Sequence, residues 1–142
     1  MAIVDLVDYD QTVTIELMYQ TKPEPTPVGA TFDIRSIDNA DAQAIMRKRR
    51  AKAMSGMAQR GKDKPNDDDI AALLIDMIEP DGEILATCIT GWNWNGQEFE
   101  TGKGVLEWSP KNAKHVMTHP KAKWLWPQVQ VAAQGIDVFT KA

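Results

Sequence analysis

Cysteine, histidine and long hydrophobic runs are all scarce in this sequence of 142 residues, which has one cysteine and two histidines. A single cysteine excludes an internal disulfide and is typical of a reducing compartment such as the cytoplasm. No stretch approaches the roughly 18 consecutive apolar residues of a membrane span, and the N-terminus lacks the basic flank and apolar core of a signal peptide. We therefore expect a cytoplasmic protein without membrane contact, of a length that fits one domain.

Residues that could support catalysis or bind a metal are equally sparse. His115 and His119 have the i, i+4 spacing of a metal-binding helix, but Val116 stands where a zinc helix of the HExxH kind has glutamate. Cys88 lies in an apolar run without a basic neighbour, so the sequence predicts a buried structural thiol. The glycines near position 100 match neither nucleotide-binding fingerprint. We expect no catalytic residue, no metal and no cofactor.

Positive charge is concentrated in one segment of an otherwise acidic chain. The formal net charge is −4, yet half of the 16 basic residues fall between positions 47 and 64. They are Arg47, Lys48, Arg49, Arg50, Lys52, Arg60, Lys62 and Lys64. Three interpretations stay open: a solvated face that balances nearby acids, a surface that docks a protein, and a surface that contacts phosphates. Because no aromatic residues are interleaved for base stacking, nucleic acid ranks below protein as a partner.

Two segments near the start of the chain have the composition of β-strands. Residues 13–19 and 30–37 are rich in β-branched side chains, and Phe32 and Ile34 fall on one face. Between them, the three prolines of residues 22–27 predict an irregular, extended loop. The pattern predicts an antiparallel hairpin that must pack on helices or pair with another chain, because two strands alone are marginal in water.

The middle of the chain is predicted to contain two helices. Asp38 or Asn39 caps the first, which is basic and has a narrow inner stripe. The stripe comprises Ala42, Ile45, Met46, Arg49, Ala53 and Met57. Asn66 caps the second helix, with the three aspartates of residues 67–69 in its first turn, and a turn at 80–82 interrupts it.

Residues 84–92 show apolar offsets that favour a further helix, although their β-branched content leaves a strand as the alternative. Residues 93–104 are predicted to form a loop or short hairpin, and residues 105–108 a short extended piece. The predicted fold class is α+β and mainly α, with an N-terminal antiparallel β-hairpin followed by four to five helices in a single domain. Its segments are the hairpin (1–37), the basic helix (38–64) and a helical core (66–142).

The end of the chain carries clear helix boundaries. Ser109 and Pro110 are a typical helix start, with serine at the N-cap and proline in the first turn. That helix is predicted to end near His119, and a last helix runs over about residues 120–134 before Gly135. Phe139 is expected to fold back on the core.

All five tryptophans lie in the C-terminal half of the chain. We predict that Trp92 and Trp108 are core residues between the last helices, because large rings bury the most area. Trp124 and Trp126 are two positions apart, so they cannot both face inward on one helix. Trp126 and Trp94 are the tryptophans that we expect to meet a partner.

The order of these motifs resembles that of phage tail assembly chaperones. The shared features are an extended N-terminal segment, a basic helix and an apolar helix that runs into Gly91-Trp92. A loop follows, and then an aromatic-Ser-Pro-x-Asn helix start, here Trp108-Ser109-Pro110-Lys111-Asn112, and a terminal helix. The resemblance covers about residues 30–139. The chain departs from it at the turn of residues 80–82 and in the additional Trp94 and Trp126.

The resemblance implies a non-enzymatic protein of the bacterial host cytoplasm that binds the tape measure protein and keeps it soluble while tail tube subunits polymerise around it. The partners implied are the tape measure protein and the major tail tube protein, with a homo-oligomer left open. The candidate partner-binding residues are Arg47, Arg49, Arg50, Met54, Met57, Trp94 and Trp126. The alternatives are a structural virion protein of the tail, such as a terminator, adaptor or baseplate element, and a small DNA-binding regulator.

Overall fold

The computed structural model describes residues 2–19, 24–59 and 80–139, with residues 56–59 described by their backbone alone. Within these ranges the chain forms a three-stranded antiparallel sheet and four α-helices. The strands are β1 (Thr12–Tyr19), β2 (Thr26–Arg35) and β3 (Ile89–Asn93), in the spatial order β1-β2-β3. The helices are α1 (Ala40–Gln59), α2 (Gly82–Thr87), α3 (Pro110–Thr118) and α4 (Trp126–Gln134). Short 3₁₀ helices cover Ile3–Leu6 and Lys123–Leu125.

The predicted N-terminal hairpin is confirmed, but its second strand starts earlier than the prolines suggest. β2 begins at Thr26, and Pro27 lies opposite Met18 in the pairing with β1. The side-chain amide of Gln128 in α4 binds both the N–H and the C=O of Met18. Since these backbone groups face α4 rather than β2, Pro27 removes no hydrogen bond from the ladder, and the strand tolerates it.

The predicted fold class, a mainly α protein with a two-stranded sheet, is wrong. Residues 89–93 form a third strand, which pairs antiparallel with β2 and places Trp92 opposite Phe32. The helix predicted for residues 84–92 is therefore replaced by a short helix and then a strand. The apolar offsets favour a helix and the β-branched content favours a strand, and the edge of β2 decides for the strand because it supplies backbone hydrogen-bond partners.

Arg35, at the end of β2, fixes the point where α2 gives way to β3. Its Nε donates to the carbonyl oxygen of Thr87 at 2.8 Å, and its backbone N–H donates to that of Cys88 at 2.8 Å. A cation at the C-terminal end of a helix is also favourable for the helix dipole. The switch from helix to strand is thus held by a residue more than 50 positions away in the sequence.

The core lies between one face of the sheet and helices α2 to α4. The sheet contributes Leu17, Ala30, Phe32 and Ile34, all fully buried. The helical side contributes Leu85, Cys88, Val116, Met117, Leu125 and Val129. Among the described residues, no helix combines the length and apolar character needed to cross a membrane.

The C-terminal helices follow the predicted start but not every predicted boundary. The Ser109 side chain accepts a hydrogen bond from the Asn112 N–H at 3.0 Å, which confirms the N-cap of α3. The last helix begins at Trp126 rather than near position 120, because a separate 3₁₀ turn precedes it. Phe139 does not fold back on the core: its side chain is 64% exposed, and its backbone forms a bridge with Val7. The helix predicted after Asn66 lies outside the described residues.

Candidate protein-binding surfaces

The start of α1 is anchored by Asn39, which settles the choice between two predicted caps. The Ala42 N–H donates to Asn39 Oδ1 at 2.9 Å, and Asn39 Nδ2 donates to the carbonyl of Ser36 at 2.8 Å. Asn39 is fully buried, so both ends of its amide are used inside the fold. Asp41, in the first turn of α1, pairs with Arg35.

Beyond this anchor, α1 presents a strongly basic outer face. Arg47, Lys48, Arg50 and Lys52 are all exposed, and none forms an ion pair with any described residue. Arg60, Lys62 and Lys64 lie outside the residues whose side chains are described. The outer face of α1 therefore carries, on about two helical turns, four positive charges that no described residue pairs.

Arg49 is the exception on this helix, because it points inward and is engaged within the chain. Its guanidinium donates to Asp81 Oδ2 at 2.9 Å and to Glu83 Oε2 at 3.0 Å. Burial disfavours its charge, but the hydrogen bonds that it donates to the two carboxylates, together with their negative charge, outweigh that effect and raise the pKa of Arg49. Asp81 also caps α2 by accepting from the Ile84 N–H. Arg49 was a candidate for partner binding, and the structure places it instead in the contact that joins α1 to α2.

A cavity of about 420 Å³ opens beside α1 along the same contact. We call it the basic groove; it is lined by Ala44, Ile45, Lys48, Arg49, Lys52 and Glu83. Ala44, Lys48 and Lys52 are spaced four apart, so they lie on one side of the helix. The groove thus combines small apolar surface with two ammonium groups that form no ion pair within the described part of the chain. Met54 is 65% exposed further along α1, and the side chain of Met57 lies outside the described residues.

Trp92 and Trp108 fasten the loop after β3 to the strand itself. Trp92 Nε1 donates to the carbonyl of Leu106 at 2.9 Å, and Trp108 Nε1 donates to the carbonyl of Ile89 at 3.1 Å. The indole of Trp92 thus bonds to the backbone two residues before Trp108, and the indole of Trp108 bonds to the backbone of β3, which contains Trp92. Asn112 adds a bond from Nδ2 to the carbonyl of Glu107 at 2.8 Å. The Gly-Trp and Trp-Ser-Pro-x-Asn motifs thus join the loop to the strand. Trp92 is partly buried and packs against the core, but the prediction that Trp108 is a core residue is wrong, because Trp108 is 38% exposed.

The expectation that Trp94 and Trp126 are the exposed tryptophans is wrong. Trp94 is only 6% exposed and packs against the rings of Phe32, Trp92 and Phe99. Trp126 is half-buried, and its Nε1 donates to the carbonyl of Met117 at 2.7 Å. Trp124, at 45% exposure, is the tryptophan with the most accessible ring. Sequence spacing identifies that one of positions 124 and 126 is exposed, but only the 3₁₀ turn determines which one.

A second cavity, of about 560 Å³, lies between the loop after β3 and the segment that leads into α4. Its aromatic walls are formed by Trp94, Phe99, His119 and Trp124, and Lys103 and Lys121 lie at its edge. We call it the aromatic cleft. It is built from three segments distant in sequence, so no local motif predicts it.

The loop that forms one wall of the aromatic cleft is held by its own polar groups. The Glu98 carboxylate accepts from the N–H groups of Gly102 and Gly104, at 2.7 and 3.1 Å. Both glycines have positive φ, of 84° and 73°, which other residues adopt with strain. Gln97 Nε2 donates to the carbonyl of Val28 and ties the loop to β2. The wall of the cleft is therefore preformed.

The two histidines do not form a metal site with their described neighbours. His115 binds Glu100, and His119 Nδ1 accepts from the backbone N–H of Lys121. The hydrogen bond from His115 lowers the pKa of Glu100. Among the described residues, no group of three or more potential metal ligands comes together. Both imidazoles instead contact the ring of Phe99, edge to face.

Cys88 is a fully buried free thiol, as the sequence predicts. Burial disfavours the thiolate and raises the pKa of Cys88 to about 11. A thiol that stays protonated near neutral pH is a poor nucleophile. The environment of Cys88 is that of a packing residue.

The alkaline stability of the protein should depend on Cys88. The unfolded thiol ionises near its ordinary pKa, whereas the folded thiol ionises only near pH 11. The protonated thiol therefore contributes fully to the free energy of unfolding below the unfolded pKa. This contribution, on the order of 2 kcal/mol, is lost as the pH rises from about 9 through 11. Urea unfolding at pH 8 and pH 11 measures this loss. Cys88→Ala is the control, and an equal loss in that variant would contradict the assignment.

Comparison of the chain with known protein families, curated proteins and solved structures finds no match. The family resemblance therefore depends on motif order alone.

Proposed function

We propose that this protein is a phage tail assembly chaperone, which binds the tape measure protein in the bacterial host cytoplasm and supports tail tube polymerisation without enzymatic chemistry. The observation that carries the proposal is the basic groove beside α1. It joins apolar surface to exposed positive charge, the combination that suits a transient complex with an amphipathic helix.

The groove fits the chemistry that a tape measure protein would bring. Long helices with exposed apolar seams aggregate unless those seams are covered. Ala44 and Ile45 offer apolar contact, while Lys48 and Lys52 attract carboxylates beside the seam. Because most of this attraction comes from exposed charges, it speeds association and weakens with salt. Such a complex can be displaced by polymerising tube subunits.

The support from Arg49 is indirect. Its pairing with Asp81 and Glu83 fixes α1 against α2, so the outer charges are held in a defined arrangement. We therefore place the contact with the partner on Arg47, Lys48, Arg50 and Lys52 and leave Arg49 as the anchor.

Co-expression with the tape measure protein tests the proposal. The soluble fraction of the tape measure protein should rise when this chain is present, and the two should co-purify at low salt. Lys48→Glu and Lys52→Glu should each reduce the co-purified amount on the order of threefold. Lys111→Glu is the matched control, because it reverses an exposed charge on α3 outside the groove. An unchanged soluble fraction with the unsubstituted chain would refute the proposed function.

A further inference from the structure

We infer that the basic groove continues along α1 into a cavity beside Trp108, and that the two together hold one amphipathic helix of the partner. The bound helix places apolar side chains against Trp108 and carboxylates beside Lys48 and Lys52. The inference rests on the proposed function and adds to it the extent of the site, the conformation of the bound segment and the distribution of charge along that segment.

The cavity beside Trp108 has a volume of about 480 Å³ and lies between α1, α2, the start of β3 and the start of α3. We call it the Trp108 cavity. Its apolar lining comprises Ile45, Ala86, Ile89, Trp108 and Pro110. Trp108 is 38% exposed, so its ring offers apolar surface to a partner. Exposed tryptophan of this kind is enriched among the residues that dominate protein interfaces.

The Trp108 cavity and the basic groove follow one face of α1, and we call the two together the combined groove. Both are lined by Ile45 and Glu83. Asp41 lines only the Trp108 cavity, whereas Lys48 and Lys52 line only the basic groove. Positions 41, 45, 48 and 52 are spaced by four, three and four, so they lie on one side of the helix. At about 1.5 Å per residue, the combined groove runs for roughly 16 Å along α1, enough for about three turns of a bound helix.

Charge is distributed unevenly between the two ends of the combined groove. At the Trp108 end the charges balance, because the two basic residues there form ion pairs with two carboxylates. These pairs are Arg35–Asp41 and Lys114–Glu83. At the other end, Arg49 is matched by carboxylates, but Lys48 and Lys52 are exposed and form no ion pair with any described residue. Even with every paired carboxylate counted as charged, positive charge remains at this end alone, and it attracts carboxylates of the partner.

The polar groups of the Trp108 cavity favour a helix over an extended segment. An extended segment gains affinity from free backbone groups at a sheet edge, but the carbonyl of Ile89 already accepts from Trp108 Nε1 at 3.1 Å. The hydroxyls of Thr87 and Thr90 donate to backbone carbonyls within the chain. A helix satisfies its own backbone and needs only the apolar and charged side chains that the combined groove presents.

Photo-crosslinking of the complex with the tape measure protein tests the inference. Lys114→p-benzoylphenylalanine places the photoreactive group in the Trp108 cavity. Lys111→p-benzoylphenylalanine is the matched control, one turn earlier on α3 and outside the combined groove. The cross-linked yield per co-purified complex should be at least about fivefold higher from position 114 than from position 111.

A second photoreactive variant tests the conformation and polarity of the bound segment. Lys52→p-benzoylphenylalanine should attach to the same segment on the order of 10 residues from the attachment point of position 114, as a helix requires. The acidic residues of the segment should lie nearer the attachment point of position 52. A separation of about five residues would indicate an extended segment and would overturn the inference.

The outcomes separate the inference from the proposed function. A yield at position 114 no higher than at position 111, in a complex that still co-purifies, overturns the inference and leaves the proposed function intact. A product that joins two copies of this chain also overturns it. If the tape measure protein does not co-purify with the unsubstituted chain, the proposed function fails and the inference fails with it.

Trp108→Ala tests the apolar end of the combined groove. It should lower the co-purified amount of the tape measure protein by about fivefold or more. Trp124→Ala is the matched control, because Trp124 is 45% exposed and lies outside the combined groove. Circular dichroism verifies that both variants are folded, and the cross-linking comparison keeps Trp108 in place. An effect of Trp108→Ala no larger than that of Trp124→Ala would mean that the partner does not reach Trp108.

Discussion

Replacing Trp94 by alanine is expected to lower the free energy of unfolding by about 3 to 5 kcal/mol, the usual cost of truncating a buried tryptophan. Trp94 is 6% exposed and touches three other aromatic rings, two at 5.5 Å and one at 5.7 Å between centroids. Its removal opens a cavity beside β2 and removes the back wall of the aromatic cleft. Urea denaturation, with an unchanged m-value, measures the effect.

Two further variants separate the contribution of the buried Trp94 ring from that of its buried N–H group. Trp124→Ala removes a ring of the same size that is 45% exposed and meets Tyr19 edge to face, so it should cost below about 1 kcal/mol. Trp94→Phe keeps an aromatic ring but removes the buried N–H that no described residue accepts from. It should therefore recover most of the loss seen with alanine. Similar losses for Trp94→Ala and Trp124→Ala would contradict the burial of Trp94.

Gly82→Ala is expected to destabilise the protein by about 3 kcal/mol, although alanine is the better helix former by about 1 kcal/mol. Gly82 is the first residue of α2, where a Cβ would lie 2.2 Å from the carbonyl oxygen of Met117. That oxygen accepts the hydrogen bond of Trp126 Nε1. To admit a methyl group, α2 and α3 must separate, which also strains the contact between α3 and α4.

Gly135→Ala is the matched control for this steric effect. The φ of Gly135 is −90°, and the nearest atom to a Cβ there is the carbonyl oxygen of Val131 at 3.2 Å. A small adjustment accommodates the methyl group, so the change should stay within about 1 kcal/mol. Thermal unfolding of both variants compares them directly. A Gly82→Ala protein as stable as Gly135→Ala would mean that α2 and α3 do not approach so closely.

Local signals predicted the elements whose boundaries are set by adjacent residues. Ser109 and Pro110 start α3 because the side-chain cap and the missing N–H act within one turn. Phe32 and Ile34 point to the core together because alternate residues of a strand share a face. The helix predicted through Trp92 was wrong for the opposite reason. Its strand exists because β2 offers an edge, and that edge comes from a distant part of the sequence.

The candidate site divides in the same way. The basic cluster is visible in the sequence as a run of charged residues, and its helix was predicted. Arg49, by contrast, pairs with Asp81 and Glu83 because α2 lies beside α1. The sequence of α1 alone does not predict where α2 lies. The aromatic cleft has no sequence signal at all, since Phe99, His119 and Trp124 are brought together by the loop after β3 and by the turn before α4.

The sequence by itself determined the hairpin, the basic helix, the capped start of α3, the buried thiol and the concentration of tryptophan in the C-terminal half. Each of these features depends on periodicity, capping or composition within a few residues. Tertiary structure alone decided that residues 89–93 join the sheet, that Trp94 is buried and Trp124 exposed, and that Arg49 pairs with Asp81 and Glu83. Those outcomes depend on which hydrogen-bonding edges, rings and carboxylates distant segments bring into contact.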